Sequence, residues 1–569
     1  MTSYLFLGIS LLSALGIASG AASAAERPNI IFIFSDDHAT ESISAYGGRY
    51  DEVAPTPNID RIANEGALFK NSFCGNSICG PSRATILTGK HSHLNGFLDN
   101  NFSRFDGTQP TFPKMLQDAG YETAMIGKWH LKSDPTGFNH WEILPGQGHY
   151  YNPDFIQMDG STKRFEGYVT DIVVDKSIDW LKNRKDKDKP FILMSQQKAP
   201  HRSWVPPIRH MDLFDDMDLP EPGSLFDNYE NRIEALAKQK MEIENHLWWG
   251  NDLLLPGDSN DPRIPGKYPS NEIKRMTEEQ KAAFDKAFGE ENQALIDNIG
   301  EMSDEELTKW KYQRYIKNYL RCIRAVDENI GRMLEYLDES GLAENTIVIY
   351  SSDQGFYLGE HGWYDKRWMF EESLEMPFVI RWPGVIKPGV RSEALIQNID
   401  YAPTFLDIAG APVPEDMQGT SLVPVLKNEG KEPAGWRDAI YYQYSGEWTH
   451  NVAEHDGVRT KRYKLMHFPR SEEWMLFDLE KDPNEMKNVF GEKEYAPVVA
   501  EMKDLYAKMR EKYEVTPSTY PKQRWSEGWW KKRWDAKYKE AGSNEVKDTK
   551  VVFLGDSITQ AWEDGGKKA

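Results

Sequence analysis

The sequence predicts an α/β protein: a mostly parallel sheet sandwiched by helices, followed by a smaller C-terminal α+β unit. Three observations carry this. Short β-rich apolar runs recur and end in polar residues, helical patterns fall between them, and after Trp436 the pattern changes to short strands and turns. The runs are Asn29–Ser35, Thr123–Ile126, Phe191–Ser195, Thr346–Ser352 and Phe378–Trp382. They are continuous rather than alternating, the mark of strands buried on both faces. Helical patterns at Asn58–Glu65, Thr111–Ala119, Val169–Lys182 and Tyr312–Ser340 supply the covering layers. In such a sheet, polar residues just past the C-terminal ends of the strands are the expected site positions.

The chain then divides in order. Residues 1–25 carry no charged side chain, and an apolar run from Leu5 to Ile17 leads to the A-x-A site Ala22-Ser23-Ala24. This reads as a cleaved signal peptide, so the mature protein is expected to be exported, periplasmic or extracellular. No other run approaches the ~18 apolar residues of a membrane span, and no transmembrane anchor is expected after cleavage. The large α/β unit is assigned to 26–435, with a charged helical insertion at 210–311 that includes Thr277–Phe288. The small unit is assigned to 436–515, with strands Ala439–Tyr444, Asp456–Phe468 and Trp474–Leu479 and a helix from Pro497 to Tyr513. Residues 516–549 read as a wrap or linker.

Composition limits the partners. The 569 residues hold 68 Lys+Arg against 89 Asp+Glu, a net charge of −21 that argues against a nucleic-acid partner. Aromatics at 12%, with 18 Trp, fit either a sugar-handling surface or a large aromatic core. Three cysteines, Cys74, Cys79 and Cys322, do not make a disulfide framework, although Cys74 and Cys79 are close enough to pair.

The deciding segment is Cys79-Gly80-Pro81-Ser82-Arg83, followed by Ala84-Thr85-Ile86-Leu87-Thr88-Gly89. It resembles the C-x-P-S-R signature of the formylglycine-dependent sulfatases, which have an alkaline-phosphatase-like fold. A second family signature appears at Gly120-Tyr121-Glu122-Thr123-Ala124-Met125-Ile126-Gly127-Lys128-Trp129-His130, and the resemblance runs in order from about Pro28 to Tyr513. The competing reading of Cys79 is an inert thiol or half of a Cys74–Cys79 bridge. Sulfate monoesters hydrolyse extremely slowly uncatalysed, and an anionic ester repels anionic nucleophiles, so a site needs concentrated positive charge and a metal. The resemblance implies that Cys79 is oxidised to formylglycine by a maturation enzyme. One hydroxyl of its hydrated aldehyde attacks sulfur, and the second allows sulfate to be expelled.

The resemblance also implies a role for each of a set of residues. Asp36, Asp37, Asp353 and Gln354, with the modified Cys79, are the expected Ca²⁺ ligands, all hard oxygen donors. The family usually has Asn or His where Gln354 stands. Arg83 is one helical turn after Cys79 and holds the nucleophile. Lys128 and Lys366 bind sulfate, His130 takes a proton during sulfate expulsion, and His201 protonates the leaving group. Lys198 replaces the first histidine of the family's H-x-P-H string.

The expected activity is hydrolysis of sulfate monoesters on a sulfated carbohydrate, in an exo mode. Gly148–Pro153, Lys198–Trp204 and Asp365–Glu372 look most similar to the N-acetylglucosamine-6-sulfatase group. Candidate substrate-binding side chains are His149, Lys198, Arg202, Trp204, His450 and His455, by position only, with surface or packing roles as the competing reading. The alternatives are a phosphonate or phosphate monoester hydrolase of the same superfamily, or a non-catalytic glycan-binding relative. Separately, Val551–Thr559 resembles the opening nucleophile block of the SGNH/GDSL esterases, with Ser557 at the nucleophile position. Residues 550–569 are too short to supply that family's later base, so this reads as a truncated, inactive start.

Overall fold

A computed structural model of the protein describes residues 27–255, 264, 271–446 and 450–516. The expected signal peptide, the wrap or linker beyond Thr516 and the tail holding Ser557 lie outside them. The chain divides into a unit of Met1–Glu514, which carries the architecture below, and a second of Val515–Ala569.

The large sheet has ten strands: β1 (Asn29–Ser35), β2 (Ala67–Phe69), β3 (Glu122–Lys128), β4 (His140–Leu144), β5 (Asp154–Gln157), β6 (Thr162–Arg164), β7 (Phe191–Gln196), β8 (Thr346–Ser352), β9 (Phe378–Arg381) and β10 (Val390–Ser392). Their order is β10-β2-β9-β8-β1-β7-β3-β4-β5-β6. The middle, β8-β1-β7-β3-β4, is parallel throughout. Phe378–Arg381, one of the apolar runs, pairs antiparallel with its neighbours, as do β5 and β6. A buried apolar run does not encode its direction, so the sequence could not separate these strands from the parallel ones.

Strand β1 explains why the run Asn29–Ser35 is apolar throughout. Ile30, Phe32 and Phe34 enter one core, and Ile31 and Ile33 enter the other, all at most 2% exposed. The first core takes Ile86 and Leu87 from α2 (Cys79–Thr88) and Phe112 and Leu116 from α3 (Phe112–Asp118). The second takes Ile59 and Ile62 from α1 (Pro57–Asn64), Val173 and Ile178 from α4 (Val169–Asn183), and Ile323 and Ile330 from the long helix Asp304–Ser340. Period-2 strand geometry, with a helix layer on each face, is what demands apolar residues at every position.

Helix α6 spans Asp304–Ser340, 37 residues or about 55 Å. It begins about two turns before the expected Tyr312 pattern, inside the stretch read as an insertion. Ser303 caps it reciprocally with Glu306, and left-handed Gly341 ends it. Among the described residues of 210–303, helices Glu234–Lys238 and Ile243–His246 are short and α5 (Glu278–Asn298) is long. A second sheet, β11 (Ala439–Tyr444), β12 (His455–Thr460), β13 (Tyr463–Phe468) and β14 (Glu473–Asp478), is antiparallel, with α7 (Ala496–Lys512) against it. The expected single run Asp456–Phe468 is two strands, turned at Lys461-Arg462 where the Thr460 hydroxyl accepts from the Tyr463 N–H at 2.9 Å. This sheet braces the first: Arg459 and Lys464 pair with Glu371, and the Tyr442 hydroxyl donates to the Arg367 carbonyl at 2.5 Å.

Candidate active site

Parallel register assembles the site. Ser35 lies opposite Ser352, Phe34 opposite Gln196, and Gln196 opposite Gly127. The residues just past these positions, Asp36-Asp37, Asp353-Gln354, Lys128 and Gln197-Lys198, therefore share one edge of the sheet. Gly127 has φ +109°, and a Cβ there would stand 1.9 Å from the Gln196 carbonyl oxygen, so only glycine lets β3 deliver Lys128. Gly355 is likewise required, because its Cβ would meet the carbonyls of Glu372 and Glu375 at 2.1 and 2.3 Å.

Cys79 is the first residue of α2, 1% exposed, and its thiol is free like those of Cys74 and Cys322. A Cys74–Cys79 bridge is absent. Burial pushes the Cys79 thiol up to about 12. As an unmodified thiol it stays protonated at neutral pH and makes a poor nucleophile. Its Sγ, an Asp36 oxygen and a His201 ring nitrogen lie within 4.8 Å of one another.

One oxygen from each of Asp36, Asp37 and Asp353 also lies within 4.8 Å of the others. All three residues are at most 1% exposed. Burial alone would raise the Asp36 carboxyl, but the charges of Lys128 and Arg83 hold it well below the usual carboxylate range. Asp37 is raised to about 6 by burial and by Asp36, against the pull of Lys366. Asp353 is raised well above its ordinary value by burial and by Asp36. Such a trio is repulsive on its own, and cations hold it together. Arg83 donates from Nε and Nη2 to Asp353 Oδ2 at 3.1 and 2.9 Å, and from Nη1 to the Lys128 carbonyl and Gln196 Oε1. Lys128 donates to Asp36 and to Gln147, and Lys366 to Asp37. Three carboxylates thus face three fixed cations, and a divalent ion would leave the cluster net positive.

The donor set fits a hard cation. Asp36 Oδ1, Asp37 Oδ2 and Gln354 Oε1 are buried and accept no hydrogen bond, while Gln354 Nε2 donates to Asp37. Buried oxygens without partners are costly unless something binds them, and an all-oxygen set suits Ca²⁺.

His201 Nδ1 lies 2.6 Å from the Arg202 carbonyl, which can only accept, so Nδ1 carries the proton and Nε2 faces Asp37 Oδ2 at 3.8 Å. Burial and Lys128 keep both His201 and His130 well below the usual imidazole range. His130 has a left-handed backbone, φ 56°. Lys198 is buried with its ammonium 4.6 Å over the Tyr150 ring.

Two expected substrate contacts are corrected. Trp204 is fully buried, packed on Tyr315 at 4.6 Å between ring centroids and near Phe356 and Tyr364, so it cannot stack on a sugar. His455 is fully buried, its Nδ1 on the Ala453 carbonyl and its Nε2 accepting from the Met369 N–H, between the rings of Trp368, Tyr444 and Phe468. Both are packing residues. Trp204→Ala is expected to cost about 3–5 kcal/mol of stability, seen as a lower denaturation midpoint, with KM unchanged in the folded fraction. Arg202 spends its fork on Asp252. His149 is 37% exposed at its side chain and pairs with Glu272. His450 is half-buried and pushed down to about 4 by burial and Arg367.

Some site residues escaped the sequence reading. Asp365 and Arg367, which flank Lys366, form a buried ion pair at 2.7 Å, and both have positive φ (78° and 95°). Gln147 reaches Lys128. The Tyr364-Asp365-Lys366-Arg367 string was visible, but which of its charges face the site depends on left-handed backbone that non-glycine residues do not advertise.

Comparison with known proteins follows the same lines. Residues 28–411 match the family model described as Sulfatase, and 359–512 match the C-terminal model of N-sulphoglucosamine sulphohydrolase. The chain is 49% identical over 516 residues to an N-acetylglucosamine-6-O-sulfatase of Bacteroides thetaiotaomicron, covering 90% of this chain and 91% of that protein. It is 28% identical over 511 residues to an arylsulfatase of Clostridium perfringens, covering 82% and 91%. Among solved structures, one in complex with its substrate D-glucosamine-2-N,6-O-disulfate superposes with a TM-score of 0.82 at 49% identity, covering 87% of this chain and all of that one. The phosphonate monoester hydrolase of Agrobacterium radiobacter (TM-score 0.62, 23% identity, 86% of this chain and 96% of that one) shares the fold.

Proposed function

Because the chain belongs to the sulfatase family and is a sulfuric ester hydrolase, we propose that it removes the 6-sulfate from a glucosamine-type sugar ending a sulfated glycan. The sugar assignment is supported by the 49% identity to an N-acetylglucosamine-6-O-sulfatase and by the substrate named for the solved structure at the same identity. The observation that carries the chemistry is the convergence of Cys79, three buried carboxylates and three fixed cations at one sheet edge.

In this reading, Cys79 is converted by a formylglycine-generating maturation enzyme, and formylglycine supplies a hydrated aldehyde hydroxyl as nucleophile. Ca²⁺, held by Asp36, Asp37, Asp353 and Gln354, supplies the positive charge that an anionic ester needs. The chain's own residues do the remaining work. Arg83, one turn along α2 from Cys79, orients the nucleophile and is itself locked by Asp353 and Gln196. Lys128 and Lys366 are buried and paired with Asp36 and Asp37; once those carboxylates bind a cation, the ammonium groups are left to the sulfate oxygens. His201 is neutral in the free site, with Nε2 open. An arriving anion raises its proton affinity, which lets Nε2 carry a proton to the leaving sugar oxygen. His130 takes up the proton released as sulfate is expelled.

Export is proposed on the 1–25 leader. Among the described residues, no helix is long and apolar enough to cross a membrane. The test is sulfate release from N-acetylglucosamine 6-sulfate and from sugars sulfated elsewhere, with aryl phosphate as control. The 6-sulfate is expected to turn over at least tenfold faster than the others. Faster phosphate turnover would contradict the reading.

A further inference from the structure

We propose that the cleft beside the site is a subsite for the second sugar of the substrate, with the exposed indole of Trp248 as its platform. This rests on the glycan sulfatase reading above. The cleft has a volume of about 940 Å³, and three of its lining residues are chain neighbours of site residues. Of its lining residues, Arg202 follows His201, Tyr364 precedes Asp365 and Lys366, and Asn451 follows His450. A glycan held by its sulfated end must continue outward from those residues.

Trp248 is 64% exposed, an unfavourable arrangement for a large aromatic side chain. It is nevertheless held in place. Its backbone N–H donates to Asp252 Oδ2 at 2.8 Å, and its carbonyl accepts from the Asp252 N–H at 2.8 Å. Asp252 is fully buried and grips Arg202 with both oxygens. The Arg202 guanidinium then lies 5.3 Å from the Trp248 ring and 5.1 Å from the Tyr364 ring. One ion pair, between buried Asp252 and half-buried Arg202, therefore ties the Trp248 backbone to the residue that follows His201.

The lining mixes apolar Leu247, Trp249 and Leu307 with hydrogen-bonding Asn245, His246 and Thr308. An aromatic face rimmed by hydrogen-bonding groups matches the amphipathic faces of a sugar ring. The cleft volume exceeds what one ring needs, which suits an oligosaccharide rather than a lone monosaccharide.

The experiment compares kcat/KM on N-acetylglucosamine 6-sulfate and on a disaccharide in which that sugar is linked through C1 to a second hexose. Wild type is expected to favour the disaccharide by about tenfold. Trp248→Ala is expected to erase most of that preference through KM, and Trp248→Phe to keep part of it. Trp248 is exposed, so melting temperatures should match. Equal wild-type rates on both substrates, or an equal loss on both in Trp248→Ala, would overturn the subsite. Failure of wild type on both substrates would overturn the underlying glycan reading instead.

Discussion

Cys79→Ala is expected to lower kcat for sulfate release by at least about 10³-fold, the scale seen when a nucleophile is removed from a preorganised site. Folding should survive. Cys79 sits at the first position of α2, where alanine is well tolerated, and the loss of a buried sulfur costs about 1–2 kcal/mol. No buried polar group loses its partner. Arg83 keeps Asp353, and Lys366 keeps Asp37. A circular dichroism melt beside the turnover assay separates the two effects. Turnover near wild type in a folded Cys79→Ala variant would refute the nucleophile assignment.

Removing the divalent ion is the second large effect. Dialysis against a strong chelator is expected to abolish turnover and lower the melting temperature, because the repulsion among Asp36, Asp37 and Asp353 is then opposed only by Arg83, Lys128 and Lys366. Ca²⁺ at a hundred times its Kd should restore about 2.7 kcal/mol along with activity. The same addition to Asp353→Asn is expected to restore much less. Full turnover after exhaustive chelation would contradict the metal assignment.

Sequence and structure agree where chemistry is local. Strands 29–35 and 346–352 have the predicted bounds, because both faces of a central parallel strand are buried and the apolar run has no gaps. The residues just past those strands share an edge because parallel register leaves them no alternative. What the sequence hid was non-local. Trp204 looks like a sugar platform because it follows the Lys198–Arg202 segment, yet its ring faces Tyr315 on α6, more than a hundred residues away. His455 is similarly absorbed by an aromatic stack contributed by three separate segments. Conversely, Trp248 lies in a charged stretch without a motif, and only its pinning to Asp252 and Arg202 reveals a role. The net charge of −21 hides this edge, where Arg83, Lys128 and Lys366 balance three buried carboxylates.

The central claim is that Cys79 becomes the nucleophile through oxidation to an aldehyde. Mass spectrometry of the tryptic peptide Asn71–Arg83, from protein made in its native host, tests it most directly. The expected result is formylglycine at position 79, with an aldehyde that reacts with a hydrazide probe. An unmodified cysteine in protein that hydrolyses sulfate esters at full rate would contradict the account.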